Sequence, residues 1–108
     1  MSNAQAMKIE LLVVPDCPNT RLAADRLRQT LDGLGLHDVT FQTHTVADQA
    51  EAEAAHFAGS PTFLIDGRDP FAEPGRAAGL TCRVYATPDG LTGVPATDQL
   101  RQALSNAL

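Results

Sequence analysis

The chain has 108 residues, enough for one domain and too few for two ordinary ones. Apolar residues make up 44% of it, so a core can form without metals or disulfide staples, burying roughly two-thirds of the unfolded surface. Thirteen acidic residues against eight basic ones give a net charge of −5, with no basic run, which argues against nucleic acid and anionic membranes as partners.

Residues 1–6 (MSNAQA) are small and polar, with no charged start and no apolar stretch, so no secretory signal is expected. Ser-Asn-Ala is similar to the scar of an expression tag, and one domain is therefore expected over residues 7–108. Lys8 to Val14 (KIELLVV) is apolar on both faces apart from Glu10, the pattern of a central strand. Pro15-Asp16-Cys17-Pro18 breaks it, and a helix is predicted next, with Pro18 suited to its first turn. Ala23, Leu27, Leu31 and Leu34 share one helical face, and Gly33 and Gly35 end the helix.

His37 to Val46 alternates, with Val39, Phe41 and Thr43 on one side, and predicts a strand with one wet face. Asp48 and Glu51 form a D-x-x-E start signal for a short Ala-rich helix to Phe57, with Gly59 as its stop. Thr62 to Ile65 is a third strand ending at Asp66-Gly67. Residues 67–80 carry Gly and Pro without periodicity, and a loop of that length in a compact domain is often functional. Thr81 to Thr87 predicts a fourth strand, pairing antiparallel with the third. After Pro88-Asp89-Gly90, Thr97 caps a last helix with Leu100, Ala103, Leu104 and Ala107 on its apolar face.

The order β-α-β-α-β-β-α implies a parallel first pair with a right-handed crossover, and a four-stranded mixed sheet with helices on both faces. The longest apolar run, Leu11 to Val14, is far below the roughly 20 residues of a membrane span. Two cysteines, Cys17 and Cys82, are too few for a secreted disulfide scaffold, so the cytoplasm is expected, where a cysteine serves packing or chemistry.

Two local motifs, Val14-Pro15-Asp16-Cys17-Pro18-Asn19-Thr20 and Gly59-Ser60-Pro61-Thr62-Phe63-Leu64, sit at the end of the first strand and the start of the third. With the element order, they make the chain resemble the thioredoxin/glutaredoxin superfamily over roughly residues 8–107. It is also similar to small actinobacterial thioredoxin-like proteins with a DPF-rich loop before the fourth strand. The resemblance implies a thioredoxin-like fold, an active-site thiol at Cys17 and a cis-proline at Pro61. That proline would expose the Ser60 backbone, beside Thr62, to an incoming peptide or glutathione strand.

Cys17 is the candidate nucleophile, because unpaired N–H groups and the dipole at a helix start favour a thiolate. Its alternative is a small apolar residue at a strand end. Where a dithiol enzyme carries its second cysteine, this chain has Thr20, so C-P-N-T cannot close the usual disulfide, though Thr20 can donate to the Cys17 thiolate. Arg21 after Thr20 also makes the motif similar to glutaredoxin-like arsenate reductases. There it would hold an oxyanion or thiolate, with Arg68, Arg76 and Arg83 as loose further candidates; otherwise it is a solvated charge.

Cys82 has three readings: a buried strand cysteine, a resolving thiol for Cys17, or a metal partner. His37, His44 and His56 lack ligand spacing and no C-x-x-C exists, so no metal is expected. Phe71, within Asp69-Pro70-Phe71-Ala72-Glu73-Pro74-Gly75, is either an anchor onto the sheet or an exposed contact. Gly93-Val94-Pro95 stands where glutaredoxins carry a glycine pair and an acidic residue for glutathione, with Asp98 as an echo. No bound cofactor is expected, and glutathione enters as a possible co-substrate. The expected function is thiol–disulfide exchange or redox sensing with a protein or low-molecular-weight thiol or disulfide. The alternatives are a redox-inactive thioredoxin-fold binding module and an arsenate reductase-type oxyanion reductase.

Overall fold

The computed structural model describes residues 7–108; the tag-like segment 1–6 lies outside the described residues. Eight elements follow in chain order: β1 (Ile9–Val13), α1 (Thr20–Gly33), β2 (Phe41–Thr45), α2 (Gln49–Ala54), β3 (Thr62–Ile65), β4 (Tyr85–Thr87), β5 (Gly90–Thr92) and α3 (Thr97–Ala107). The architecture is mixed α/β. β1 is central in a three-stranded sheet of order β2-β1-β3, parallel to β2 and antiparallel to β3.

Alternation along β1 divides the core. Ile9, Leu11 and Val13 join Ala23, Leu27 and Leu31 of α1 and Leu100 and Leu104 of α3 on one face. Leu12 joins Val46, Ala52 and Phe57 under α2 on the other. The apolar face read from α1 is therefore its buried stripe, with Leu34 packed at its end. Burying such a Leu is worth about 1.5–3 kcal/mol.

The four-stranded sheet does not form. Only Tyr85–Thr87 of the expected fourth strand is β structure, and it pairs antiparallel with β5 in a separate hairpin around Pro88-Asp89. Cys82 makes a single parallel bridge to Ser60. Side chains of the returning segment instead bond at the start of β3, and Arg68 bridges its end at Ile65. The Tyr85 hydroxyl donates to the Pro61 carbonyl, and Arg83 Nη1 donates to Thr62 Oγ1 at 3.1 Å.

Several boundaries also move. The second strand spans Phe41–Thr45 rather than His37 to Val46, and as an edge strand it is mostly exposed. Pro18 lies in a turn before α1, because Asn19 is the N-cap and the helix starts at Thr20. Ala96, not Thr97, caps α3; its N–H donates to Gln99 Oε1 at 2.8 Å. Asp48 caps α2 as expected, its carboxylate accepting from the Glu51 N–H at 2.8 Å.

Gly59 does not stop α2. The helix closes earlier, with Phe57 N–H bonding Ala52 O at 2.8 Å and His56 N–H bonding Glu53 O at 3.2 Å, which places His56 at φ 53°. This is the left-handed turn that glycine usually supplies. His56 is exposed, so His56→Gly should raise stability by up to about 1 kcal/mol, read as a higher urea midpoint at unchanged slope. An unchanged or lower midpoint would remove the left-handed penalty from the account.

Candidate functional site

Cys17 sits on the turn between β1 and α1. Its N–H bonds Val14 O and its carbonyl accepts from Thr20 N–H, both at 3.3 Å. It is a free thiol, half-buried, and its apolar side packs on the core shared by α1 and α3. Cys17 lies two residues ahead of the Asn19 cap rather than on the first turn of the helix. Thr20 meets it through the backbone; among the described residues no side-chain bond from Thr20 to the sulfur forms. Arg21 is exposed on the first turn.

The turn is tied to the third strand. Val14 N–H donates to Ser60 Oγ at 3.1 Å, so the hydroxyl of Ser60 fixes the exit of β1. The Ser60–Pro61 bond is cis. The backbone of Ser60 is not free, however: its N–H donates to Thr81 O at 2.7 Å, and its carbonyl accepts from Arg83 N–H at 2.9 Å. An incoming strand at Ser60 would replace those two bonds. Thr62 is also enclosed, donating to Gly59 O at 2.6 Å and accepting from Arg83.

On its other flank the turn meets the segment before α3. A Cβ at Gly93 would fall 2.3 Å from Asn19 Nδ2, so a larger residue there would push the Asn19 side chain aside. A cleft of about 220 Å³ opens there, lined by Asn19, Leu22, Arg26, Asp89, Thr92 and Gly93 among others. Arg26 Nη1 donates to Pro95 O at 2.8 Å and joins α1 to this segment.

Arg83 is the residue whose role the sequence hid. Its side chain is 1% exposed and pairs with Asp69, 10% exposed, at 2.6 Å. It also donates to Phe71 O at 2.6 Å and lies over the Tyr85 ring, 4.7 Å from the centroid. Phe71 is an anchor: its ring meets Phe63 and Tyr85 edge-on, at centroid distances of 6.4 and 5.5 Å. The loop after β3 is thus pinned to the core. Burial raises the Tyr85 hydroxyl well above its ordinary value; the Arg83 charge opposes the shift and the Asp69 charge adds to it.

Two of the further arginines proposed for an oxyanion are already paired with acids. Arg83 is committed to Asp69, and Arg76 pairs with Glu73 at 2.7 Å, leaving Arg68 exposed on the loop. Cys82 is exposed and free, so the buried-strand reading fails. Its neighbour Arg83 takes the inward position and turns Cys82 outward. Exposure alternates from Cys82 to Ala86, with Arg83 and Tyr85 buried, so Cys82 faces away from the core that Cys17 packs against.

The histidines are all exposed; His44 lies 3.3 Å from Glu10 and His37 3.4 Å from Asp32. No cluster of three or more metal-ligating side chains exists among the described residues. None of their helices is long and apolar enough to cross a membrane. No protein family, curated protein or solved structure matches the chain.

Proposed function

We propose that the chain is a thioredoxin-like thiol protein whose Cys17 exchanges with disulfides. One observation carries this reading. A half-buried free thiol lies on the turn ahead of α1, and that turn is fastened through Val14 to the segment bearing cis Ser60–Pro61. The parallel β1–β2 crossover, the antiparallel β3, and α1 and α3 sharing one face support the thioredoxin-like assignment. A cytoplasmic, reducing setting fits both free thiols.

In the exchange, the Cys17 thiolate attacks one sulfur of a disulfide. The Cys17–sulfur bond forms, the substrate S–S bond breaks, and the leaving sulfur takes the electron pair and then a proton from water. A second thiol, from glutathione or a protein, then attacks the mixed disulfide and returns Cys17 to the thiolate. Cys82 is the candidate for that second step within the chain, although its outward position makes an external thiol the simpler agent. The redox-silent binding module is favoured by the paired backbone of Ser60, which leaves a substrate strand no open edge at that residue.

The test is residue-resolved alkylation of the reduced chain, followed by exposure to oxidised glutathione. Cys17 should label and form the mixed disulfide, Cys17→Ser should abolish that adduct, and Cys82→Ser should keep it. An adduct confined to Cys82, or an inert Cys17, would overturn the reading in favour of the binding module.

A further inference from the structure

The segment Leu80–Val84 has one paired side and one open side. Thr81 O and Arg83 N–H point to Ser60, so the N–H and carbonyl of Cys82 between them point away. Among the described residues they make no hydrogen bond, and Cys82 is exposed. Exposed side chains on this run are uncharged: Leu80 is 40% and Val84 48% exposed, with Thr81 and Cys82 beside them. Open strand edges in stable proteins usually carry charge or cover, and this one carries neither.

The helix beside the start of this segment is acidic. The two residues before it are held at α2 and the turn that follows: Gly79 N–H bonds Phe57 O at 2.9 Å, and Gln49 Nε2 reaches both Ala78 O and Glu53 Oε2 at 3.1 Å. The exposed acids of this helix and its cap, Asp48, Glu51 and Glu53, enter no ion pair among the described residues. Open backbone groups and apolar side chains thus follow directly on a contact with the acidic helix, through Ala78, Gln49 and Glu53.

We propose that this open side is a docking edge for an extended, basic segment of a partner protein. The segment adds as a strand at Cys82, sets apolar side chains against Leu80 and Val84, and turns lysines or arginines toward α2. Main-chain bonds supply affinity and the acidic helix selects the partner. A second copy of the chain is the poorer occupant, because each copy has a net charge of −5 and brings the same acidic helix. The inference does not depend on Cys17 chemistry.

The experiment titrates the isotope-labelled chain, under reducing conditions, with a cysteine-free peptide of alternating valine and threonine flanked by lysines. A glutamate-flanked analogue serves as the comparison. The amide resonances of Cys82 and Val84 should shift most, and the glutamate analogue should bind at least about tenfold more weakly. Val84→Lys and Glu53→Lys should each weaken the lysine peptide several-fold; both sites are exposed, so the fold should survive the change. Shifts elsewhere, equal binding of the two peptides, no saturable binding, or indifference to Val84→Lys would overturn the proposal. So would concentration-dependent shifts at Cys82 without peptide, which would give the edge to a second copy. Because the peptide carries no thiol, loss of the docking edge and loss of Cys17 reactivity are separate results.

Discussion

Replacing Asp69 with Asn should destabilise the chain by about 3–5 kcal/mol, a large share of the roughly 5–15 kcal/mol that holds a domain of this size. The Arg83 side chain is 1% exposed and would keep its charge inside the core with only a neutral amide opposite. The shape of the site changes little, because Asn can still accept from the Phe71 N–H, as Asp69 Oδ1 does at 2.8 Å. The loss is thus charge compensation rather than packing. Chemical denaturation measures it, and the double variant Asp69→Asn, Arg83→Met should recover much of the stability by removing the stranded charge. A single-variant loss below about 1 kcal/mol would mean that the Phe71 carbonyl, Thr62 and the Tyr85 ring already satisfy Arg83.

Alkaline pH should unfold the protein through Tyr85. Burial raises its folded pKa above the ordinary value of about 10, so the unfolded chain loses the phenolic proton first. The stabilisation is then fully present below about pH 10 and is lost as pH rises beyond it, at about 1.4 kcal/mol per pH unit. Urea midpoints between about pH 9 and pH 11 should fall along this slope, and Tyr85→Phe should remove the part due to the phenol. The chain contains one tyrosine, so tyrosinate absorbance reports this group alone and should appear together with unfolding. Absorbance that rises while the fold persists would show the hydroxyl to be solvent-accessible. Tyr85→Phe also leaves the Pro61 carbonyl without its donor, at a cost of about 1–3 kcal/mol at neutral pH.

What the sequence disclosed was what local spacing encodes. The apolar run of β1, the Ala23-Leu27-Leu31 stripe, the Asp48 cap and the bounds of β3 all depend on residues within a turn or two of each other. The hairpin was hidden because its cause is distant in the chain. Arg83 enters the core only because Asp69, fourteen positions earlier, meets it there. Read alone, Arg83 is a strand charge to be placed in solvent, and Tyr85 is one more apolar position. A usable signal existed in the alternation itself: if Tyr85 faces the core, Arg83 two residues before it must face the same way and needs an anion. The stretch from Gly90 to Thr92 is only three residues, too short for its period to show. For the candidate site, the resemblance implied both the thiol at Cys17 and a cis bond at Pro61; the sequence alone left cis and trans open, and the bond is cis. The occupied backbone of Ser60 could not be foreseen without knowing where residues 81–83 return.

The side-chain closure beside β3 also changes what the stretch from Ala72 to Ala77 is allowed to become. A strand ladder would count residues between its partners, and every insertion would shift a register. Here the return path is fixed at its ends instead, Asp69 with Phe71 at one, and at the other the bonds of Ala78 and Gly79 to Gln49 and Phe57 followed by the single Ser60–Cys82 bridge. Between them nothing meters the chain, so this segment has freedom to lengthen, shorten or change composition while the core keeps its shape.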